Sequence, residues 1–542
     1  MTIKYFIKNA FMGMALSAAM VSCTDVWDNH YTVNPNIGSN TSETLWEIIE
    51  RDSSLTEFKE FLVQTGYADK LKEEHVYTVW APVNGTFNYT YTDKAQLQKE
   101  FVENHIADFN HVASGETKDD VLIKMLNGKY LSFIGTGDNY TLESIAIVPE
   151  SKNIPAQNGV LHKLLGSVDF VPNIWEMLAK IDSASVINDY LKSFTDTLLD
   201  QQSSVVGPIV NGQITYLDSV VYEYNPWFYE IGKIAQEDSS YTMIVPTNKA
   251  WNEKVEEAMQ YFVYSEQVPH YDSIQKTNAK RMILRNLVFS NSINKHPEDS
   301  LISTTTPAWN NERVFREDPD GEVSALLKDK LETYNLSNGT IHLVDQLNYS
   351  AYKCWYDTIK LEGESSLYIK EEPENWRFNL NYLSVNKDDS AYNKLSGNMW
   401  GEYAPLTTTG NPKFTVTVPG TLSAAYRIKA VLVPQNLVHE GDTTDMMPNK
   451  FDAKLKYWPK GEKKAKTVAI GKDITNDPTR IDTVSLVNNL DNEYVEFRYS
   501  EYGLEFEETT VELEISGNVK SRETEFSRTL RIDCIILEPV TK

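Results

Sequence analysis

Hydrophobic and polar positions follow two different patterns along the chain, and the change comes near residue 350. Before it, short apolar runs alternate with amphipathic helical stretches, such as the one that places Leu45, Ile48 and Ile49 on one face. From about residue 351 the helical period stops. Strand-like runs separated by Gly, Pro, Asn and Asp clusters follow at 376–383, 413–418, 426–433, 454–458, 493–499, 510–515 and 529–537. The pattern predicts a multidomain chain, an α+β region followed by an all-β sandwich.

One segment of the α+β region occurs twice, at 77–87 (YTVWAPVNGTF) and at 241–251 (YTMIVPTNKAW). Each copy predicts a buried strand that a proline ends, because proline has no N–H for a ladder hydrogen bond. An asparagine follows, and its side chain is suited to capping a short helix. The residues are Pro82 and Asn84 in the first copy and Pro246 and Asn248 in the second.

A second segment also occurs twice, at 158–164 (NGVLHKL) and at 338–344 (NGTIHLV). Here an Asn-Gly turn leads into an apolar strand with one histidine inside it. The residues are Asn158, Gly159 and His162, then Asn338, Gly339 and His342. Two ordered segments that recur in this way predict two copies of one domain.

The paired segments resemble the two signature segments of the fasciclin family, a strand–Pro-Thr-Asn–helix box and an Asn-Gly-[Val/Ile]-[Ile/Leu]-His box. The resemblance covers residues 40–348 and implies two α+β fasciclin-like domains, at 41–170 and 171–348. Between the boxes the family has a leucine-rich segment that ends in a histidine, a position taken by His105 in the first copy. The second copy has 284–289 (LRNLVF) without a histidine. The family implies adhesion or binding rather than catalysis.

The second copy is longer than the first because of an insertion near 195–232. It contains an alternating run, 214–224 (ITYLDSVVYEY), which predicts an added hairpin or edge strand. Long surface insertions often vary with the partner that they contact. A neutral decoration is the equal alternative.

The first 22 residues have the pattern of a signal peptide, with a positive start, a short apolar core and Ser22-Cys23 at its end. Residues 20–23 (MVSC) resemble a bacterial lipobox, which implies that Cys23 carries lipid and anchors the protein to a membrane. An ordinary signal peptide with an incidental cysteine is the competing interpretation. The polar stretch 23–40 then serves as a tether, and its early acidic residues resemble the surface-export signals of Bacteroidetes lipoproteins. We therefore expect a lipid-anchored protein of the outer membrane, exposed at the cell surface.

Charge and cysteine content narrow the picture further. The formal net charge is −26, which argues against nucleic acid as a partner and against docking on anionic lipid. After Cys23 only Cys354 and Cys534 remain. Outside the cytoplasm these two can form a disulfide, or they can be two buried thiols, and the sequence leaves both open.

The last third, 349–542, is similar in pattern to the galactose-binding-like jelly rolls, folds that commonly carry sugar-binding modules. A sugar site needs exposed aromatic planes beside polar side chains. Flanking glycines and Pro405 predict a loop around Trp400 and Tyr403. The candidate ligand-binding residues are Trp376, Trp400, Tyr403 and Trp458.

No catalytic motif is present in the sequence: it contains no G-x-S-x-G, H-E-x-x-H, G-x-x-x-x-G-K-[ST] or paired C-x-x-C. His105, Asp108 and His111 are close in sequence, but structural roles fit them better than metal binding. We therefore predict a non-catalytic surface protein without metal or cofactor, which captures a glycan or a protein ligand. The alternative is a structural accessory subunit of an outer-membrane nutrient transporter.

Overall fold

The computed structural model of the 542-residue chain describes residues 42–117, 121–202, 204–210, 212–292, 296–305, 313–370, 378–437, 446–504 and 510–540. The predictions for the signal peptide, for Cys23, for the tether and for Trp376 lie outside these residues. Two compact units are present, one up to Asn173 with 236–238 and 336–338, the other made of the remaining residues. Within the described ranges, no helix has the length and apolar character needed to cross a membrane.

The first unit begins with helices whose apolar faces are buried. Helix α1 starts with a capping box, in which the Thr44 backbone N–H donates to the Glu47 carboxylate at 2.7 Å and the Glu47 N–H donates to the Thr44 hydroxyl at 3.3 Å. Leu45, Ile48 and Ile49 are buried, as their shared face predicts. The helices are α1 (Leu45–Arg51), α2 (Thr56–Thr65), α3 (Tyr67–Lys70) and α4 (Lys94–Gln96), the last continuing into a π turn, Leu97–Val102.

The strands of the first unit form two sheets. They are β1 (Tyr77–Pro82), β2 (Ile106–Asp108), β3 (Glu116–Thr117), β4 (Leu122–Lys124), β5 (Tyr130–Thr136), β6 (Asn139–Leu142), β7 (Ile145–Ala146), β8 (Ile154–Ala156) and β9 (Gly159–Leu164). The first sheet has the order β2-β1-β9-β8, and the second joins β3, β5, β6 and β7, with β4 paired to β5. Val79 of β1 packs with the helices, whereas its neighbour Trp80 packs with the second sheet. The first sheet is therefore a middle layer between helices and strands.

The two repeated segments of the first unit are direct neighbours, because β1 and β9 pair in parallel. Tyr77 lies opposite Gly159 and Pro82 lies opposite Leu164. Every residue of β1 is buried, which explains its unbroken apolar character.

The second unit opens with a region of the same strand order. Its helices are α5 (Ile174–Leu178), α6 (Ser185–Lys192), α7 (Trp227–Glu230), α8 (Asn248–Met259), α9 (Tyr271–Leu284) and α10 (Glu322–Leu326). Its strands are β10 (Asp196–Leu199), β11 (Val205–Val210), β12 (Gln213–Asp218), β13 (Val221–Tyr224), β14 (Tyr241–Pro246), β15 (Val288–Ser290), β16 (Ser300–Ile302), β17 (Val314–Arg316), β18 (Lys330–Leu336) and β19 (Gly339–Val344). The sheet order is β15-β14-β19-β18, and β14 pairs in parallel with β19, Tyr241 opposite Gly339.

The insertion of the second unit forms two short antiparallel ladders, one nested inside the other. Strand β10 pairs with β13, and within that loop β11 pairs with β12. The run 214–224 therefore belongs to two strands of different ladders rather than to one.

The second unit continues into a β-sandwich, which follows helix α11 (Ala351–Cys354). Its strands are β20 (Ile359–Glu362), β21 (Phe378–Ser384), β22 (Met399–Pro405), β23 (Lys413–Thr417), β24 (Ala425–Leu432), β25 (Lys450–Tyr457), β26 (Lys466–Thr475), β27 (Asp482–Ser485), β28 (Val495–Glu496), β29 (Glu512–Gly517) and β30 (Leu530–Pro539). One sheet has the order β21-β22-β30-β24-β27, with β20 paired to β30 and β28 to β24. The other is β23-β29-β25-β26.

Cys354 and Cys534 are both buried and unbridged in the structure. Burial raises the pKa of both thiols, so each is held in the protonated form. Of the two alternatives that the sequence leaves open, the structure has the pair of buried thiols.

Candidate functional site

Trp400 and Tyr403 were predicted to lie on an exposed loop, and the structure contradicts this. Both lie on strand β22, with exposed fractions of 5% and 2%. Trp400 packs in a core cluster with Val385, Leu395 and Val433. Neither ring is accessible to a glycan.

Tyr403 is fixed between the two sheets of the sandwich. Its ring stacks on Phe414 with centroids 3.9 Å apart and planes at 14°, and its hydroxyl donates to the Gly363 carbonyl oxygen at 2.8 Å. Burial raises the pKa of the Tyr403 phenol. This is the environment of a core tyrosine whose polar end has found a partner.

Trp458 is the predicted aromatic residue that the structure leaves partly exposed. It lies at the end of β25 and meets Tyr499 edge to face, with ring centroids 5.2 Å apart and planes at 72°. Together the two rings line a cavity of about 200 Å³. The other lining residues are Ser265, Gln267, Val268, Pro269, Ser500, Glu501, Leu504 and Thr510.

Glu501 supplies a buried carboxyl group to this cavity. Its two oxygens accept hydrogen bonds from the Thr510 hydroxyl at 2.7 Å and from the Thr510 backbone N–H at 3.2 Å. Burial raises the pKa of the Glu501 carboxyl, against the opposing effect of these two bonds. The cavity thus combines two aromatic rings, hydroxyl groups and a carboxyl group, the set that a sugar ring and its hydroxyls require.

Hydrogen bonds to neighbouring loops hold the cavity floor in place. The Ser500 N–H donates to the Val263 carbonyl oxygen at 2.6 Å, and the Tyr264 hydroxyl donates to the Tyr502 carbonyl oxygen at 2.6 Å. Asn278 donates to the Tyr264 hydroxyl at 2.8 Å. A site built on bonded backbone in this way is largely preformed, which lowers the entropic cost of binding.

The asparagines that follow β1 and β14 cap helices that precede them in the chain. Asn84 accepts from the Glu57 N–H at 3.0 Å, at the start of α2. Asn248 accepts from the Val186 N–H at 2.9 Å, at the start of α6. The same long-range cap therefore occurs in both repeated regions, and it ties each sheet to a helix.

The Asn-Gly turns are structural as well. Asn158 is buried, accepts from the Leu45 N–H at 2.8 Å and donates to the carbonyl oxygens of Leu71 and Glu73. Gly159 has φ +150°, and a Cβ there would lie 1.9 Å from the Tyr77 carbonyl oxygen. The second region repeats this geometry, with Gly339 at φ +141° and a Cβ position 1.8 Å from the Tyr241 carbonyl oxygen. Asn338 donates to the Gln236 carbonyl oxygen at 2.9 Å.

His105 and His162 are fully buried and bonded to backbone groups. His105 Nδ1 bonds the Phe101 carbonyl oxygen at 2.8 Å and Nε2 accepts from the Val168 N–H at 3.0 Å. His162 Nε2 bonds the His111 carbonyl oxygen at 2.9 Å, and the ring stacks on Trp80. Both rings are thus structural, as predicted for residues inside the fold.

His342, the counterpart of His162, is only half-buried, and its Nδ1 lies 3.0 Å from the Thr333 hydroxyl. The position of His105 is taken in the second region by Leu287, which is also fully buried. One residue earlier, Asn104 and Asn286 are buried in both regions, a match that sequence reasoning missed.

Acid is expected to destabilise the first region through its two buried histidines. Burial lowers the pKa of His105 and of His162 to about 4, below the usual 6.5. Both are neutral in the fold, so their contribution is complete above pH 6.5 and is lost as the pH falls towards 4. Since one pKa unit corresponds to about 1.4 kcal/mol, each histidine accounts for roughly 3 kcal/mol.

Hydrogen exchange of the β1 and β9 peptides at pH 7.5 and pH 4.5 would measure this loss. In a His105→Gln, His162→Gln variant the difference in opening free energy between the two pH values should shrink by several kcal/mol. His296→Gln, at an exposed position, should leave that difference unchanged. An equal pH dependence in all three proteins would contradict the assignment.

Metal-ligand side chains come together at one exposed place among the described residues. The ligand atoms of His296, Glu298 and Asp299 lie within 4.8 Å of one another. Exposed acidic groups often cluster without an ion, so no metal site is assigned here.

The geometry of the first region can now be compared with known families. The family model of the Fasciclin domain matches residues 53–164, a range that contains both repeated segments of the first unit. The chain contains a fasciclin domain. Fasciclin domains are generally adhesion or binding modules and generally non-catalytic, and no enzymatic family matches.

Solved structures give three further similarities, all at low TM-scores. The FAS1 domain pair of the insect cell adhesion molecule Fasciclin I is 13% identical, with 55% of this chain and 98% of that chain covered and a TM-score of 0.19. The CBM22-1–GH10 modules of Clostridium thermocellum xylanase 10B with xylohexaose are 8% identical, covering 34% and 28% at a TM-score of 0.17. A Paenibacillus xanthan lyase is 10% identical, covering 38% and 16% at a TM-score of 0.17. TM-scores this low support no inference, and no curated protein matches.

In the fasciclin domain, the residues singled out by the repeat therefore hold the fold rather than a ligand. The ligand candidates lie in the β-sandwich, where Trp458 is joined by Tyr499 and Glu501. Sequence reasoning missed these last two residues, which lie in the stretch 493–501 (EYVEFRYSE), dense in aromatic and charged residues.

Proposed function

We propose that this protein is a non-catalytic, lipid-anchored binding protein of the outer membrane, exposed at the cell surface, and that it captures a glycan. The cavity between Trp458 and Tyr499 is the single observation that carries the proposal. Partly exposed aromatic rings next to hydroxyl and carboxyl groups are what stacking on a sugar ring needs. Lipid at Cys23, after a signal peptide at 1–22, and a tether at 23–40 would supply the anchor.

The proposed architecture has two fasciclin-like domains, at 41–170 and 171–348, followed by a jelly-roll sandwich at 349–542. Support for the second domain comes from its sheet order, its β14–β19 register and its Asn248 cap, which repeat those of the first. Support for the sandwich comes from its two antiparallel sheets. In this arrangement the fasciclin-like domains act as spacer and interaction surface.

Calorimetry of the full chain against a panel of soluble neutral and acidic polysaccharides tests the glycan function. Trp458→Ala and Tyr499→Ala should each lower the affinity about tenfold or more, the effect of losing about 1.4 kcal/mol of stacking. Trp175→Ala is the matched control, because Trp175 is also partly exposed and also meets another ring, that of Phe228, edge to face. Absence of binding across the panel, or affinities that both cavity variants leave unchanged, would refute the function.

A second function is favoured by the insertion, that of a structural accessory subunit of an outer-membrane nutrient transporter. Strands β11 and β12 expose aliphatic side chains to an unusual extent, 71% for Ile209, 56% for Ile214 and 75% for Leu217. No charged residue occurs from Val205 to Leu217, although 24% of the chain is charged. An isolated apolar hairpin is unfavourable in water, so we propose that it packs on an uncharged, apolar surface of the transporter.

Co-purification from detergent-solubilised membranes tests this second function. The intact chain should carry a stoichiometric outer-membrane transport protein, and Ile209→Asp with Leu217→Asp should release it. Leu331→Asp is the control, because Leu331 is an exposed aliphatic residue on β18, 60% accessible. Retention of the transporter by the hairpin variant would contradict the proposal.

A further inference from the structure

The charge around the Trp458 cavity is opposite to that of the chain as a whole. The chain has 77 acidic and 51 basic residues, yet residues 454–466 (KLKYWPKGEKKAK) contain six lysines and one glutamate. Trp458 lies within this basic run. An aromatic cavity and a local concentration of positive charge therefore share one short segment.

Backbone pairing fixes the basic run against the strand that carries Tyr499. The Arg498 N–H donates to the Trp458 carbonyl oxygen at 2.9 Å, and the Lys460 N–H donates to the Glu496 carbonyl oxygen at 3.0 Å. Between them Pro459 forms a bridge with Phe497. The position of the lysines beside the cavity is thus set by the fold.

Three of these cations have no carboxylate at ion-pair distance among the described residues. The Arg498 guanidinium lies 5.0 Å from the Tyr499 ring centroid and donates to the Glu462 carbonyl oxygen. Lys463 and Lys464 are exposed. The other cations of the cavity rim are paired, Lys460 with Glu496 at 3.5 Å and Lys466 with Glu462 at 2.8 Å.

The outer face of strand β25 extends the positive surface. Glu514 is shared by Lys413 at 2.9 Å and Lys454 at 3.1 Å. Glu512 is shared in the same way by Lys370 and Lys456. Four lysines on two glutamates leave this face with excess positive charge.

We propose that the ligand of the Trp458 cavity is an acidic glycan, a polysaccharide whose sugar rings carry carboxylate groups. This inference rests on the proposed glycan function and deepens it. One sugar ring stacks against Trp458 and Tyr499, while carboxylates of that ring and its neighbours meet Arg498, Lys463 and Lys464. A guanidinium matches a carboxylate with two parallel hydrogen bonds. The Glu501 carboxyl inside the cavity disfavours a second carboxylate there, so the acidic groups face the basic rim.

A polynucleotide satisfies these observations less well. Binding of nucleic acid is dominated by long-range attraction to phosphates, and a chain of net charge −26 opposes it. The aromatic cavity, at about 200 Å³, instead suits a single ring held beside a small number of cations.

Calorimetry with polymers that differ only in charge tests the inference. The probes are polygalacturonate, alginate and hyaluronan, each compared with its carboxyl-methyl ester, in which the same backbone is uncharged. At least one acidic form should bind at least tenfold tighter than its ester at low salt, and this advantage should shrink as salt is added. Arg498→Gln with Lys463→Gln and Lys464→Gln should abolish the advantage and leave binding of the ester in place.

A control variant removes the same charge elsewhere, at Lys94, Lys387 and Lys394, three exposed lysines outside the cavity. It should retain the preference for the acidic polymer. Equal binding of every acidic polymer and its ester, or a preference that survives the Arg498 variant, would overturn the inference while Trp458-dependent binding leaves the glycan function standing. Binding of a single-stranded oligonucleotide as tightly as the best glycan, without dependence on Trp458, would also overturn it. If no polymer binds in either form, the glycan function fails as well.

Discussion

Replacing Gly159 with alanine should unfold the fasciclin domain in the context of the otherwise intact chain. The new Cβ would lie 1.9 Å from the Tyr77 carbonyl oxygen, an overlap that only movement of β1 or β9 can relieve. Both strands are buried and paired along their whole length, so movement breaks the central sheet. We expect a cost above about 4 kcal/mol, a large part of the stability of a typical domain.

Hydrogen exchange of the full chain measures this effect region by region. In Gly159→Ala the β1 and β9 peptides should lose protection, whereas those of the sandwich should keep it. Gly66→Ala is the control, because Gly66 also has a positive φ, +86°, but has open space around its Cβ position, and it should cost only about 1 kcal/mol.

Gly339→Ala should have the corresponding effect on β14 and β19, because the same overlap recurs at Tyr241. The pair of variants therefore also tests whether the two regions are built alike. If Gly339→Ala left the exchange of β14 and β19 unchanged, the proposed second fasciclin-like domain would lose its main support.

The second large effect is expected at Trp400. Its ring fills a core cluster with Val385, Ala391, Leu395 and Val433, so Trp400→Ala should lower the free energy of unfolding of the sandwich by about 3–5 kcal/mol. Denaturant titration followed by exchange in the β21, β22 and β30 peptides measures this quantity.

Trp458→Ala provides the comparison within the same sandwich. The Trp458 side chain is partly exposed, so its removal should cost well under half as much stability while it removes glycan binding. Trp400→Ala should show the reverse, reduced stability with affinity retained in the folded fraction. Equal stability losses in both variants would mean that Trp458 is a core residue and not a ligand contact.

Much of the fold could be predicted from the sequence because local chemistry and tertiary position agree. The apolar run that ends at Pro82 is a buried strand, and the Asn-Gly turn at Asn158 starts its parallel neighbour. All seven strand-like runs of the last third contain a strand in the structure, at β21, β23, β24, β25, β28, β29 and β30.

Strand β22 was predicted as a loop, because Gly397, Gly401 and Pro405 surround its aromatic residues. Gly401 is in fact required by close packing: a Cβ there would lie 2.2 Å from the Gly363 carbonyl oxygen. Pro405 ends the strand. A glycine that permits close approach and a glycine that permits a turn look the same in sequence, and only the partner strand distinguishes them.

Assembly of the cavity could not be predicted either, because its parts are distant in the chain. Trp458 and Tyr499 belong to different strands or loops, and the 265–269 wall comes from the region before the sandwich. The asparagine caps fail for the same reason, since Asn84 bonds a helix that starts at Thr56. The lysine run around Trp458 was visible in the sequence, but its meaning depends on the contact with Arg498.

Hydrogen–deuterium exchange of the full chain with and without polygalacturonate, alginate and hyaluronan tests most directly whether this protein is a glycan-binding protein that uses the Trp458 cavity. The account predicts that bound polymer slows exchange in peptides covering 458–466 and 496–504 and leaves 399–405 unchanged. Slower exchange confined to other parts of the chain, or no change with any polymer, would contradict it.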